Sequence, residues 1–300
     1  SFDYPEVFFE EKIHQIRRIY PDPNQIKEAA DKLKNSKQPI IISGGGVLYS
    51  EAEQTLSNFA KKHNIPVTST VMGIGCMTKN DPYYISAIGA LGEGSSNNLS
   101  KDTDLALAVG TKLADFTTGS WANFENPNFK LISVNTARYD TTKHLATPVI
   151  SDAKVGLLQL SEALGDWRAP DTWYQRAIKE RDEWEAYVAK QSGPTNQEEP
   201  SYAHAVGAIY RNSDPSDIVV TAAGGLVGEV VQVWKPKELN TFETEWGFSC
   251  MGYEISGALG IKMAKPDQDV VVFVGDGSYL LNNSDIYSSV LYDQKLIIII

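Results

Sequence analysis

Short apolar runs recur along this chain, each released into glycine or a polar turn, and amphipathic stretches fill the gaps between them. Pro39 to Ile42 is such a run and feeds Ser43-Gly44-Gly45-Gly46. Ile65 to Ser69, Leu105 to Val109 and Lys130 to Val134 repeat the pattern, and Asp217 to Thr221 and Val270 to Val274 do so again after residue 200. Brief runs of mostly apolar side chains without alternation suit strands buried on both faces. Between them, Ile26, Ala29, Ala30 and Leu33, with Asn24 as the cap, keep the spacing of one helix face, and Ala52, Leu56, Phe59 and Ala60 keep that of another. Strands alternating with helices predict an α/β fold of parallel, doubly wound sheets, and the pattern is run through twice.

That repetition divides the chain. Residues 1–20 read as an irregular leader running up to Pro21-Asp22-Pro23, and residues 21–165 as a Rossmann-like domain. Over residues 166–200 the composition changes: Trp173, Ala177, Trp184 and Val188 mark an amphipathic helix with a polar, turn-rich tail, which together predict a helical connector. Residues 201–300 form a second parallel α/β unit, with helices at His204 to Tyr210 and through Ser256, Gly257, Ala258 and Gly260. The closing run Leu296 to Ile300 reads as a buried strand with further chain expected after it, and the opening without Met as the interior of something longer.

Composition narrows the partners. With 42% hydrophobic residues in 300, the chain can bury large cores, and a net charge of -11 with a pI near 4.9 argues against nucleic acid or an anionic membrane as its main partner. A small molecule is the better expectation. Cys76 and Cys250 cannot make a disulfide framework and stand at no zinc spacing, so both are expected reduced in a cytoplasmic protein. No charged and apolar leader pattern opens the chain, and Leu296 to Ile300 falls far short of the roughly 20 residues that span a bilayer.

The chemistry concentrates at two glycine turns that follow apolar runs in the second unit: Ala222-Ala223-Gly224-Gly225 and Gly275-Asp276-Gly277-Ser278. Glycines let backbone N–H groups approach phosphate oxygens, and an acid between two glycines can hold Mg²⁺ against a diphosphate. Ser278 is expected to open a helix whose N-terminus favours anions. Gly44-Gly45-Gly46 does not fit a dinucleotide fingerprint, because Tyr49 stands where its last glycine belongs, and is read as a steric turn. His14, His63, His144 and His204 are scattered and are read as surface or core. Asn282-Asn283, one helical turn past Ser278, is expected on a helix surface. No nucleophile elbow or P-loop appears.

These motifs resemble the thiamine diphosphate-dependent enzymes of the acetohydroxyacid synthase type, whose diphosphate motif opens with Gly-Asp-Gly after an apolar strand. Residues 43–50, 115–121, 166–170, 222–226 and 247–254 resemble, within that family, hydrolases that open a cyclic 1,2-dione. The resemblance implies central and diphosphate-binding domains, with the family's first, pyrimidine-binding domain outside this chain. It implies that Asp276 is a Mg²⁺ ligand, that Gly277 and Ser278 offer backbone or hydroxyl contacts to the diphosphate, and that Gly224, Gly225 and Leu226 line its other side. Met251 would prop the cofactor, the Ser249 carbonyl would accept from its aminopyrimidine, and Cys250 lies between them. The glutamate that activates the pyrimidine, and with it the catalytic assignment, would lie outside the chain. Lys112 stands where a flavin-binding Arg is expected and Thr136-Ala137-Arg138-Tyr139 lacks the usual acidic stretch, so FAD is not expected. A homodimer or homotetramer with the site at the subunit interface is implied. The competing readings are a carboligase of 2-oxo acids and a non-catalytic nucleotide- or flavin-binding module built on Gly44 to Gly46.

Overall fold

The structure, a computed structural model, describes residues 2–15 and 17–300. Ser1 and Ile16, both in the expected leader, lie outside the described residues. The first sheet is built from β1 (Pro39–Ser43), β2 (Val67–Ser69), β3 (Tyr84–Ala87), β4 (Leu105–Val109), β5 (Lys130–Asn135) and β6 (Thr147–Ile150). All of its pairings are parallel, in the order β3-β2-β1-β4-β5-β6. Its helices are α1 (Pro23–Asn35), α2 (Gly45–Tyr49), α3 (Glu53–His63), α4 (Gly94–Asp102), α5 (Asp115–Thr118), α6 (Arg138–Thr142) and α7 (Ala153–Leu164).

β1 shows why a continuous apolar run is needed. Ile41 faces one layer, with Leu33, Leu56, Phe59 and Leu160, while Ile40 and Ile42 face the other, with Leu99 and Trp173. Trp173 belongs to α8 (Asp171–Gln191), the expected connector, and its indole N–H donates to the Pro39 carbonyl at 2.8 Å. Only the first turns of α8 are buried, at Trp173 and Ala177, so this helix covers the first sheet before it carries the chain onward.

The second sheet comprises β7 (Ile218–Thr221), β8 (Phe242–Thr244), β9 (Val270–Phe273) and β10 (Ile297–Ile299), parallel and ordered β10-β9-β7-β8. Around it lie α9 (Tyr202–Asn212), α10 (Leu226–Val233), α11 (Tyr253–Ala264), α12 (Asp276–Leu281) and α13 (Ser284–Leu291). Ser201 and His204 form a reciprocal capping box at the start of α9, which gives that histidine a local structural role.

Two local expectations are corrected. The cap of α1 is Asp22, whose side chain accepts from the Asn24 N–H at 2.7 Å, because Pro23 supplies a preset φ at the first helical position. Asn282 and Asn283 are not on a helix surface: α12 ends at Leu281 and Asn282 caps it. The Asn282 side-chain amide donates to the Gly252 carbonyl and Ser256 Oγ, both at 3.4 Å.

The second core extends into the first domain, joining Val71, Ile74 and Ala87 to Val227, Val230 and Phe242. A buried ion pair crosses the same junction, Lys235 Nζ to Glu93 Oε2 at 2.5 Å, with Glu93 only 2% exposed. Burial pushes the Glu93 carboxyl above its ordinary range and the Lys235 ammonium pulls it back. Removing one partner of a buried pair strands the other charge, so Lys235→Ala is expected to cost about 3 kcal/mol or more. Pairing it with Glu93→Gln should recover part of that loss. Denaturant midpoints check this, and an unchanged midpoint in the single variant would contradict the latch.

Candidate functional site

In the second sheet β7 has β8 on one side and β9 on the other, so successive connections leave in opposite directions and a crevice opens at the C-terminal ends of β7 and β9. Both glycine turns end there. Gly224 has φ 83, a left-handed conformation that side chains disfavour, and Gly225 leads into Leu226, the first residue of α10. Across the crevice, Gly275 caps α12, and Asp276 and Gly277 are exposed. A Cβ built on Gly224, Gly225, Gly275 or Gly277 would meet nothing within 4 Å. These glycines therefore relieve no crowding inside the chain; they face open space.

The glycines at the end of β1 behave in the opposite way. A Cβ on Gly44 would come within 2.5 Å of the Gly110 carbonyl oxygen, and one on Gly46 within 2.6 Å of the Gly110 Cα. Close crossing of two backbones demands glycine there, as the steric reading of that turn expects. A cavity of about 250 Å³ nonetheless lies beside this crossing, bordered by Gly45, Tyr49, Met72, Lys112 and Trp246.

One buried side chain ties the second crevice together. Glu254, at the start of α11, is fully buried. Its Oε1 accepts from the Ala223 N–H at 3.2 Å, in the first glycine turn. Its Oε2 accepts from the Gly252 N–H at 3.0 Å and from the Ser278 hydroxyl at 2.7 Å, just past Gly277. Ser278 Oγ in turn accepts from the Gly252 N–H at 2.7 Å. Sequence reasoning missed Glu254, although an acid inside the otherwise apolar and small-residue start of α11 was a visible signal.

The predicted residues thus fall on three loops joined through Glu254. Gly224, Gly225 and Leu226 follow β7, and Asp276, Gly277 and Ser278 follow β9. Ser249, Cys250 and Met251 are exposed on the segment between β8 and α11, which Gly252 links to Ser278. The Ser278 hydroxyl is buried and engaged with Glu254 and Gly252, so of the two contacts expected from it the backbone is the one left free. Desolvation and then the neighbouring Glu245 carboxylate push the Cys250 thiol above its ordinary range. Among the described residues no cluster of three or more His, Cys, Asp or Glu side chains is disposed around a metal. Asp276 is the exposed carboxylate at the crevice, with Oδ1 accepting from the Gly277 N–H at 2.8 Å. A hard cation that shares diphosphate oxygens and backbone carbonyls needs few protein carboxylates, so this donor set fits a diphosphate-bound Mg²⁺ and does not fit a metal held by the protein alone.

A topological crevice, open glycine turns and a lone acid between two glycines thus meet at the C-terminal ends of β7 and β9. Residues 26–160 match the thiamine pyrophosphate enzyme central domain, and residues 222–300 match the thiamine pyrophosphate enzyme C-terminal TPP binding domain. The chain belongs to the thiamine pyrophosphate (thiamine diphosphate) enzymes. It is 34% identical over its whole length to the 3D-(3,5/4)-trihydroxycyclohexane-1,2-dione hydrolase of Geobacillus thermodenitrificans, covering 50% of that protein. It is 35% identical, again over its whole length and 50% of the relative, to the protein of the same name from Clostridium tetani. The chain therefore spans about half the length of the curated relatives it matches. No helix among the described residues is long and apolar enough to cross a membrane.

Glu254→Ala would leave the Ala223 and Gly252 amides and the Ser278 hydroxyl without their acceptor. Each unsatisfied buried group costs about 1–3 kcal/mol, so a loss of about 3 kcal/mol is expected by chemical denaturation. The same loss should shrink in a Ser278→Ala background, because the two residues share bonds. Equal stability of wild type and Glu254→Ala would contradict the role given to this carboxylate.

Proposed function

We propose that the full-length protein binds thiamine diphosphate and Mg²⁺ in the β7–β9 crevice and hydrolyses the carbon–carbon bond between the two carbonyls of 3D-trihydroxycyclohexane-1,2-dione, the substrate in its relatives' names. The product is 5-deoxy-glucuronate, which puts the reaction in inositol catabolism. The observation that carries this reading is the pair of open glycine turns on neighbouring strands, with Asp276 in the second and no crowding to explain the glycines.

In this reading the N–H groups of Gly224 and Gly225 face the diphosphate from one side and the Ser278 N–H from the other, and the Gly277 N–H, which donates to Asp276 Oδ1 at 2.8 Å, would join it once that carboxylate turns to the metal. Asp276 gives its carboxylate to Mg²⁺, which neutralises the charge that the glycine turns cannot. Bound thiamine diphosphate supplies a carbon nucleophile and an electron sink for cleavage next to a carbonyl. Met251 would support the cofactor, the Ser249 carbonyl would accept from its aminopyrimidine, and Leu226 and Cys250 would border it. The activating glutamate comes from the family's pyrimidine domain, in a homodimer or homotetramer of the cytoplasm whose subunits share the site. Lys112 in place of an arginine supports a site that works without FAD.

Incubating the full-length protein with the dione, Mg²⁺ and thiamine diphosphate should release one equivalent of acid per dione. Absence of acid, with 2-oxo acids condensed instead, would transfer the protein to the carboligases. Asp276→Ala should abolish Mg²⁺-dependent cofactor binding in calorimetry, whereas loss of a mere helix-capping acid would cost only about 1 kcal/mol of stability.

A further inference from the structure

The segment from Glu245 to Gly252 has no regular structure and little packing: Phe248 is 92% exposed and Met251 56%. Its conformation is nevertheless specific, with Ser249 in the left-handed region at φ 51. A non-glycine residue adopts that region at a cost, so something must hold it there. The holder is the first acid of the segment. Glu245 Oε1 accepts from the Phe248 N–H at 3.0 Å and Oε2 accepts from the Cys250 N–H at 2.7 Å. Two oxygens of one rigid carboxylate thus fix two peptide units on either side of Ser249. Trp246, next to Glu245, is set edge-on against Phe116 of the first domain with ring centroids 5.5 Å apart, which anchors the base of the segment.

Peptide planarity turns this into a directional device. The Ser249 carbonyl and the Cys250 N–H belong to one trans peptide and point in opposite directions. Because the N–H points in toward Glu245, the carbonyl points out of the segment, and among the described residues no backbone donor outside regular elements reaches it. We propose that Glu245 is a positioning residue that, by accepting the Cys250 N–H, aims the Ser249 carbonyl at the aminopyrimidine of the bound cofactor. This rests on the thiamine diphosphate reading above and adds to it a residue that the motifs did not single out. Partial burial raises the Glu245 carboxyl, but the amides of Cys250, Phe248 and Gly247 outweigh burial and hold it below its ordinary range, so it stays an acceptor at neutral pH.

The test compares two probes on full-length wild type, Glu245→Gln and Glu245→Ala by calorimetry with Mg²⁺: thiamine diphosphate, and inorganic pyrophosphate, which reaches the glycine turns alone. Glu245→Ala is expected to weaken thiamine diphosphate binding about 10- to 100-fold, the loss of one charge-assisted hydrogen bond, and to leave pyrophosphate affinity within about twofold. Glu245→Gln, which keeps one acceptor oxygen, should fall between and carries the test if the alanine variant does not fold. Equal weakening of both probes means a general structural role and overturns the proposal, as does unchanged thiamine diphosphate affinity in both variants. Failure of the wild type itself to bind thiamine diphosphate overturns the functional reading instead, and this proposal with it.

Discussion

The ligand end of the second domain depends on a carboxylate that water does not reach. Burying an acid is expensive unless its oxygens are satisfied, and Glu254 meets that condition only if the chain brings three separate loops to it. The cost of leaving its oxygens without partners therefore enforces the approach of the turn after β7, the segment before α11 and the turn after β9. The donors are the backbone amides of Ala223 and Gly252 and the hydroxyl of Ser278, so the loops are fixed close to their main chains, where the open glycines need them.

The two sheets differ in strand order but share one topological device and use it differently. Each has a point where successive connections diverge, between β1 and β4 in the first and between β7 and β9 in the second. In the first, Gly44 and Gly46 let two backbones cross in contact with Gly110, and the glycines are consumed by packing. In the second, a Cβ on any of the turn glycines would meet nothing within 4 Å, and the space beside them is open. Glycine content alone does not separate these cases; the identity of the nearest atom does.

Much of this was legible in the sequence because two-sided burial leaves a clear trace. Continuous apolar runs gave β1, β4, β5, β7 and β9, and the two glycine turns stood out because each follows such a run. β3, β6 and β8 were not read. β6 contains Pro148 in its interior and pairs on one side only, with β5, as suits a strand with an internal proline, and β8 is three residues long with Glu243 in its middle. Asn282 was misread because its contacts, to Gly252 and Ser256, come from 30 and 26 residues away and leave no local pattern. Glu254 and Glu245 escaped for a related reason: nothing in a sequence says that an acid will turn its oxygens inward onto backbone amides. The resemblance carried the residues proposed to face the cofactor, and the structure adds how those residues are held.

A crystal structure of the full-length protein grown with thiamine diphosphate and Mg²⁺ tests the central claim most directly. The diphosphate is expected between Gly224–Gly225 and Gly277–Ser278, with Mg²⁺ on the Asp276 carboxylate and the Glu254 bonds to Ala223, Gly252 and Ser278 intact. Diphosphate density beside Gly45 and Lys112 in the first sheet's crevice, or an Asp276 carboxylate turned away from the metal, would contradict it.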